Sequence, residues 1–334
     1  MKISYVRRLR PGVAVVFGLS LLLLSVQGAA AAEQSTLARL PAASSTRASQ
    51  APMLDVTTCG ARLVAVGIRG LIVVSQDDGE TWGQRPSPID VTLTSIVCVG
   101  SDIGFAVGHE ETLVRTDDGG ITWRLVHTDP AGVPLLRIRF VDSKHGFALG
   151  GSGVMYRTSD GGDSWSRDVV TADDGFDPHL FDIVALDDGR LILVGEAGRL
   201  FRSSADQHGW RELQSPYVGS FFGLISLGSG NVLAYGMRGH VFHSLDGGDS
   251  WVPLSTGTNQ SLFAAAATTD RIYLAGADSA VVTMRRGDPA ICTLGGTRDR
   301  LTISGLAQTS SGWVLASDRG LRRVATFDTN LCNR

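Results

Sequence analysis

Short apolar runs that end in a small residue recur along this chain at nearly constant intervals. Each run is followed by a tight turn and a second apolar run, and this pattern predicts a β-hairpin. The first runs end at Gly67, Gly108, Gly150, Gly195, Gly236, Gly276 and Ser317. The intervals between these residues are 41, 42, 45, 41, 40 and 41 residues. The sequence therefore predicts seven repeats of one strand-rich unit.

An eight-residue polar phrase follows the hairpin in four of the repeats, at Ser75–Trp82, Thr116–Trp123, Thr158–Trp165 and Ser244–Trp251. Its aspartate is expected to accept hydrogen bonds from the amides of a tight turn. The glycine at its fifth position allows positive φ, and its tryptophan is expected to cover the apolar layer between repeats. We assign structural roles to Asp77, Trp82, Asp118, Trp123, Asp160, Trp165, Asp246 and Trp251.

The repeat length and strand content predict an all-β fold, a seven-bladed β-propeller of four-stranded blades with Asp-box turns. The chain after the seventh hairpin, Gly320 to Arg334, is long enough for only one or two strands. We therefore expect the residues that follow Pro52 to supply a strand to the last blade.

The N-terminus has the pattern of an export signal. Four basic residues and no acidic ones occur in residues 1–32, where an apolar run ends in small residues. We interpret 1–32 as a signal peptide, with a retained anchor helix as the alternative. Residues 33–52, rich in Ala, Ser, Thr and Pro, are predicted to be a flexible linker, and 53–334 the propeller. The expected location is periplasmic or secreted.

Charge and cysteine content narrow the function. Beyond residue 32 the chain has 26 basic and 33 acidic residues, which argues against nucleic acid as a partner. Four cysteines in an oxidising compartment permit disulfides. Their places in the repeats favour the pairs Cys59–Cys98 and Cys292–Cys332, with other pairings or free thiols left open. Their spacing matches no zinc motif, so we predict no metal site.

One full repeat is specific enough to indicate a family. The unit Leu135–Trp165 resembles the photosystem II assembly and stability factor propellers, which carry bacterial neuraminidase (Asp-box) repeats. The resemblance extends over about 53–325 and is that of a relative from a non-photosynthetic bacterium. It implies a non-enzymatic accessory protein that binds membrane-protein subunits during assembly, without a cofactor. It does not identify the client.

An enzyme of the same fold is the less favoured interpretation. A sialidase needs three arginines and a tyrosine nucleophile with a glutamate beside it, but Tyr156, Tyr235 and Tyr273 lie in repeat strands. Sialidases also have six blades, and a xyloglucanase-type hydrolase uses two propellers. We predict no catalytic residue. A carbohydrate- or peptide-binding propeller of the sortilin type is the alternative, followed by a glycoside hydrolase of the sialidase or xyloglucanase type.

One face of the ring is the expected binding surface, because loops on a rigid scaffold carry recognition. On it we predict partner-binding roles for Arg69, Glu110, Arg199, Tyr217, Phe221, Arg238, His240 and Arg319, although any of them could be an ordinary turn residue. A second set, Arg115, Arg157, Arg202 and His243, precedes the phrase or its degenerate copy, and we expect these side chains to form ion pairs between blades.

Together these observations predict an exported, monomeric propeller that binds an envelope membrane protein or complex, with a transport system as one candidate. The protein is expected to be peripheral to the membrane at most.

Overall fold

The computed structural model describes residues 40–207, 209–294, 299–329 and 332. The predicted signal peptide, 1–32, lies outside the described residues. Twenty-seven short strands in this part of the chain form seven antiparallel sheets, each made of strands that are consecutive in sequence. The predicted seven-bladed β-propeller is confirmed.

The first four blades have four strands each. Blade 1 contains β1 (Met53–Cys59), β2 (Arg62–Gly67), β3 (Ile72–Ser75) and β4 (Gly83–Arg85). Blade 2 contains β5 (Leu93–Val99), β6 (Ile103–Gly108), β7 (Thr112–Thr116) and β8 (Arg124–His127). Blade 3 contains β9 (Leu135–Phe140), β10 (Gly146–Gly150), β11 (Val154–Thr158) and β12 (Ser166–Val169). Blade 4 contains β13 (Leu180–Ala185), β14 (Leu191–Gly195), β15 (Leu200–Ser203) and β16 (Trp210–Glu212).

The last three blades continue the pattern, with three described strands in the seventh. Blade 5 contains β17 (Phe221–Gly228), β18 (Asn231–Gly236), β19 (Val241–Ser244) and β20 (Val252–Leu254). Blade 6 contains β21 (Leu262–Ala267), β22 (Arg271–Gly276), β23 (Val281–Arg285) and β24 (Ile291–Leu294). Blade 7 contains β25 (Ile303–Thr309), β26 (Gly312–Ser317) and β27 (Arg322–Val324). Short 3-10 turns lie at Ala48–Gln50, Ile68–Gly70, Glu196–Gly198, Met237–Gly239 and Ala277–Ser279.

The second strand of each blade is buried on both faces because a neighbouring blade covers each side. This explains why Leu63–Val66 is continuously apolar instead of alternating. The glycine that ends the strand has a separate reason. A Cβ atom on Gly67, Gly108 or Gly276 would lie within 2.4 Å of a backbone oxygen of the connection that passes over it. The recurrent glycine therefore marks a close approach of two backbone segments.

The four polar phrases form the turns that the sequence predicts. In the first, Asp77 accepts hydrogen bonds from the Thr81 amide (2.9 Å) and from the Ser75 hydroxyl (2.7 Å). Gly79 has φ 82°, and the Trp82 indole donates to its carbonyl. The Trp82 ring packs on the apolar layer between blades 7 and 1. The same contacts recur at Asp118, Asp160 and Asp246, and we call all four the aspartate turns.

The two disulfides join the cysteine pairs that the sequence favours. Cys59 of β1 bonds to Cys98 of β5, which connects the inner strands of blades 1 and 2. Cys292 of β24 bonds to Cys332, near the C-terminus. The chain leaves blade 7 after β27 and packs Phe327 against Tyr273 and Trp313. Cys332 and Phe327, which follow β27, are therefore attached to blade 6.

The expected closure of the ring is wrong. The segment after Pro52 is β1, which pairs with β2 as the innermost strand of blade 1 and adds no strand to blade 7. Without it, blade 1 would have no inner strand. Blade 7 instead contacts blade 1 through the Ser304 hydroxyl, which donates to the Met53 carbonyl at 3.0 Å.

The described part of the predicted flexible linker, 40–52, is also attached to the ring. The Ser45 amide donates to the Gln84 side chain, and that side chain donates to the Ala43 carbonyl at 2.9 Å. Ala48 is buried, and the Leu321 amide of blade 7 donates to the Ser49 carbonyl. This segment therefore packs at the junction of blades 7 and 1, which corrects the prediction for its described part. No helix among the described residues is long and apolar enough to cross a membrane.

Candidate functional site

The strand order sets the two faces of the ring. Because each blade is an antiparallel sheet of consecutive strands, the turn after the second strand lies on the same face as the connection to the next blade. We call this the connection face. The aspartate turns lie on the opposite face, which we call the turn face.

Three of the predicted partner-binding residues occupy the tips of turns on the connection face. Arg69, Glu110 and Arg238 have φ of 53°, 58° and 55°, so the left-handed tip residue recurs from blade to blade. Arg69, Arg238 and Arg319 are exposed, and their side chains have no hydrogen-bonding partner in the part of the chain that the structure describes. These arginines belong to blades 1, 5 and 7, so they are distributed around the rim and form no single cluster.

Three further predicted residues come together over blades 4 and 5. Arg199 forms ion pairs with Glu212 (2.6 Å) and Asp174 (2.5 Å), and these carboxylates raise its pKa. The Tyr217 ring packs on the imidazole of His240, with 4.4 Å between centroids. Arg199 and Tyr217 line an open groove of about 490 Å³.

Apolar side chains at this groove are exposed. Val218, which also lines it, is 90% exposed, and Phe176 is 39% exposed and lies under the Arg199 guanidinium at 5.7 Å. Phe221, predicted to bind a partner, is instead fully buried between blades 4 and 5. As the first residue of β17 it points into the inter-blade core, so it cannot contact a partner directly.

A row of phenylalanines at the mouth of the central channel was not among the predicted binding residues. Phe181, Phe222 and Phe263 are half-buried, with neighbouring ring centroids 5.3 and 5.1 Å apart. Each is the second residue of an inner strand, where a register shift lets one extra residue bulge out of the ladder. Their shared position in the repeat is the signal that could have found them.

Below this mouth, two buried aspartates connect successive blades. Asp55 of blade 1 accepts a hydrogen bond from the Ile96 amide of blade 2 at 3.1 Å. Asp182 of blade 4 accepts one from the Leu224 amide of blade 5 at 3.0 Å. Both follow the bulged residue of their strand, so the same position makes the same link in two blades.

Arg139 balances the charge of Asp182. Its guanidinium contacts both carboxylate oxygens, at 2.8 and 2.9 Å. Burial acts to raise the pKa of Asp182, but the charges of Arg139 and Arg137 together with the hydrogen bonds to the carboxylate outweigh burial and lower it. Burial raises the pKa of Asp55. Arg139 is surrounded by inner strands, yet 40% of its side chain is accessible because it faces a channel cavity of about 160 Å³. Arg137 and Tyr235 line the same cavity.

The second recurrent set forms contacts between blades on the turn face. Arg115 pairs with Asp163 of the next blade at 2.7 Å, and Arg202 pairs with Asp249 of the next blade at 2.8 Å. These two ion pairs are confirmed. Arg157 donates instead to the Gln207 carbonyl of blade 4. His243 faces blade 6, which has no polar phrase, and its Nε2 atom has no partner among the described residues.

A tyrosine–glutamate pair occurs between blades 2 and 3. The Tyr156 hydroxyl donates to Glu111 at 2.5 Å, and burial together with Glu111 raises the pKa of the tyrosine. Within the described residues, no three His, Cys, Asp or Glu side chains are grouped as metal ligands.

The sequence and this fold agree with one protein family. The model of the photosynthesis system II assembly factor YCF48 matches residues 75–271. This chain belongs to that family. The resemblance noted from the unit Leu135–Trp165 is therefore confirmed.

Individual relatives show how far this similarity extends. The uncharacterized protein YkuO of Bacillus subtilis (strain 168) is 31% identical over 71 residues, which is 21% of this chain and 23% of YkuO. The solved structure of YCF48 bound to D1 peptide has a TM-score of 0.65 at 18% identity, covering 87% of this chain and 99% of that one. YCF48 from Cyanidioschyzon merolae has a TM-score of 0.64 at 13% identity, over 82% and 94% of the two chains.

The fold is also shared with an enzyme. A streptogramin B lyase structure has a TM-score of 0.66 at 12% identity, covering 82% of this chain and 93% of the lyase. At such identities structural likeness establishes the fold alone, so function has to be argued from the residues of this chain.

Proposed function

We propose that this protein is an exported, non-enzymatic accessory or assembly factor that binds an envelope membrane protein or complex, with a transport system as one candidate client. It acts as a monomer in the periplasm or outside the cell, peripheral to the membrane at most. Binding uses a preformed face and involves no covalent chemistry.

The observation that carries this proposal is the apolar surface on the connection face. We call it the blade 4–6 patch, formed by Phe176, Phe181, Tyr217, Val218, Phe222 and Phe263. Exposed apolar patches next to arginines favour protein binding, because aromatic and arginine side chains are preferred anchors at interfaces. Membership of the YCF48 family supports the same function. A family structure with a bound D1 peptide supports a peptide segment of the client as the ligand.

A cross-linking pull-down from the native envelope tests the proposal. The bait is the mature protein, compared with Val218→Asp, which puts a charge on the patch. Leu245→Asp is the matched control, because Leu245 is 66% exposed but lies on the turn face. We expect wild type and Leu245→Asp to capture the same membrane protein and Val218→Asp to lose most of it.

A second bait, with Arg69, Arg238 and Arg319 all changed to Ala, measures the part played by the charged turn tips. Partial loss of capture is expected if these side chains guide the client to the patch. Equal capture by Val218→Asp and wild type would show that the client binds elsewhere on the ring. Capture of no membrane protein by wild type would contradict the proposed function itself.

A further inference from the structure

A cleft between blades 2 and 3 has the size and lining of a small-molecule site. Its volume is about 260 Å³, and its apolar walls include Leu113, Val126, Leu135 and Trp165. His127 and Tyr156 lie at one end, and Asp163 of the turn face lies at the other. An apolar protein cavity of roughly 150 Å³ is sufficient for benzene, so this cleft has room for a two-ring molecule.

The polar end of the cleft depends on Glu111, which occupies an unusual position. The equivalent residue in five other blades is a glycine with positive φ: Gly70, Gly153, Gly198, Gly239 and Gly320. Glu111 adopts the same left-handed conformation, with φ 45°. A side chain is strained there, and strain of this kind is concentrated at functional sites.

The neighbouring connection accommodates this side chain. A Cβ atom on Gly132 would lie 2.7 Å from the Glu111 Cγ atom, so a larger residue at this position would displace the glutamate side chain. Blade 2 therefore has the glutamate in the turn and the glycine in the connection above it. The glutamate side chain is 5% exposed. At this turn position five of the other blades have a glycine and blade 6 has Ser279, so a carboxylate here is not needed to join neighbouring blades.

The hydrogen bonds of this cluster determine the tautomer of His127. Tyr156 has one hydroxyl hydrogen and donates it to Glu111 at 2.5 Å. The His127 Nε2 atom, 3.0 Å from the same hydroxyl oxygen, must therefore carry a hydrogen and donate it. In the neutral imidazole the other nitrogen, Nδ1, is then an acceptor. The His127 side chain is 40% exposed, and its Nδ1 has no partner among the described residues.

We propose that this cleft binds a small, free aromatic molecule that carries an O–H or N–H donor, as a phenol or an indole does. The ring packs against Leu113 and Trp165, and the donor binds Nδ1 of His127. Glu111 and Tyr156 position the imidazole. A free molecule fits better than a partner's side chain, because the cleft has polar groups at both ends and a side chain has only one free end.

Indole and 1-methylindole test the proposal, since they have nearly the same shape but only indole has a donor. Titration of the full mature protein at pH 8 by calorimetry and by amide NMR shifts should give one saturable site for each compound. Indole should bind about 2- to 10-fold more tightly, the usual net effect of one hydrogen bond.

Variants separate the ring site from the hydrogen bond. His127→Leu should remove the preference for indole and retain binding of 1-methylindole, and Leu113→Trp should block both. His145→Leu, a partly exposed histidine on the turn between β9 and β10, should change neither. The proposal is overturned if neither compound binds, if His127→Leu keeps the preference, or if N-acetyl-tryptophan amide binds and indole does not. The His127→Leu comparison remains decisive if Leu113→Trp fails to fold.

Discussion

A single carboxylate organises each aspartate turn. Asp118 accepts hydrogen bonds from the amides of Ile121 and Thr122, at 3.0 and 2.8 Å, and from the hydroxyls of Thr116 and Thr122. These donors come from both sides of the turn, so the aspartate joins the end of β7 to the start of β8. This turn also holds Trp123 against the apolar layer between blades 1 and 2.

Replacement of this carboxylate should therefore destabilise the protein. We expect Asp118→Ala to lower the free energy of unfolding by about 1–2 kcal/mol, because the turn loses several hydrogen bonds while Trp123 keeps its burial. Denaturant unfolding measures the effect. Asp90→Ala is the matched control, since Asp90 is exposed on the connection between blades 1 and 2. Equal stability of the two variants would contradict the assigned role.

The same carboxylate gives this effect a pH dependence. Burial acts to raise the pKa of Asp118, but the hydrogen bonds from Thr122, Thr116 and Ile121 outweigh burial and lower it. A lowered pKa in the folded state stabilises the protein above the pKa of an unfolded aspartate, about 3.9. That stabilisation is lost as the pH falls through the lower folded value. The stability difference between wild type and Asp118→Ala should therefore narrow below about pH 4.

At the residue scale, the sequence predicts best the contacts between residues that are close to each other along the chain. The aspartate turns depend on residues within eight positions of each other, so their roles could be read from the phrase alone. Phe221 and Phe222 are adjacent, yet one is buried and the other lies at the channel mouth, because a register shift in β17 separates them. The pairing of Glu111 with Tyr156 joins residues 45 positions apart, and only the closed ring brings them together.

At the element scale, the two disulfides have different tasks. Cys59–Cys98 connects strands that adjacent blades already hold in place. Cys292–Cys332 instead fastens the chain after β27 to the outer strand of blade 6. It keeps Phe327 over Tyr273 and Trp313, on the apolar layer between blades 6 and 7. The repeat spacing favoured both pairs, but the path of the chain end could not be deduced from spacing.

We expect the double variant Cys292→Ser/Cys332→Ser to lose about 4 kcal/mol of stability, the chain-entropy value for a loop of this length. The cysteines are 40 residues apart. Trp313 should become more exposed as Phe327 is released, and carboxypeptidase should digest the chain end faster. Equilibrium unfolding, fluorescence quenching and mass spectrometry measure the three effects. The variant Cys59→Ser/Cys98→Ser should leave digestion of the chain end unchanged, and similar digestion of both variants would contradict the assignment.

At the scale of the whole molecule, no described strand of blade 7 pairs with a described strand of blade 1, and the seam between them closes the ring by side-chain packing and hydrogen bonds. The count of seven and the blade period followed from the sequence, whereas the closure did not. A repeat pattern defines what each unit looks like but not which chain end completes the first and last units. Here β1 is the inner strand of a complete first blade, and the segment before it covers the seam.

The covering segment should contribute to the stability of the ring. A chain that begins at residue 52 keeps β1 but loses the buried Ala48, the hydrogen bonds between Gln84 and residues 43–45, and the bond from Leu321 to Ser49. Compared with a chain that begins at residue 40, we expect its melting temperature to fall by about 3–4 °C, which corresponds to roughly 2 kcal/mol for a chain of this length.

A chain that begins at residue 60 is the necessary contrast, because it also lacks β1. That strand pairs with β2 and its Cys59 bonds to Cys98, so we expect this shorter chain to yield no cooperative unfolding transition. Calorimetry on all three chains measures the series. Equal melting temperatures for the chains that begin at 40 and 52 would show that the seam needs no cover. A cooperative transition in the shortest chain would show instead that blade 1 can close the ring without its inner strand.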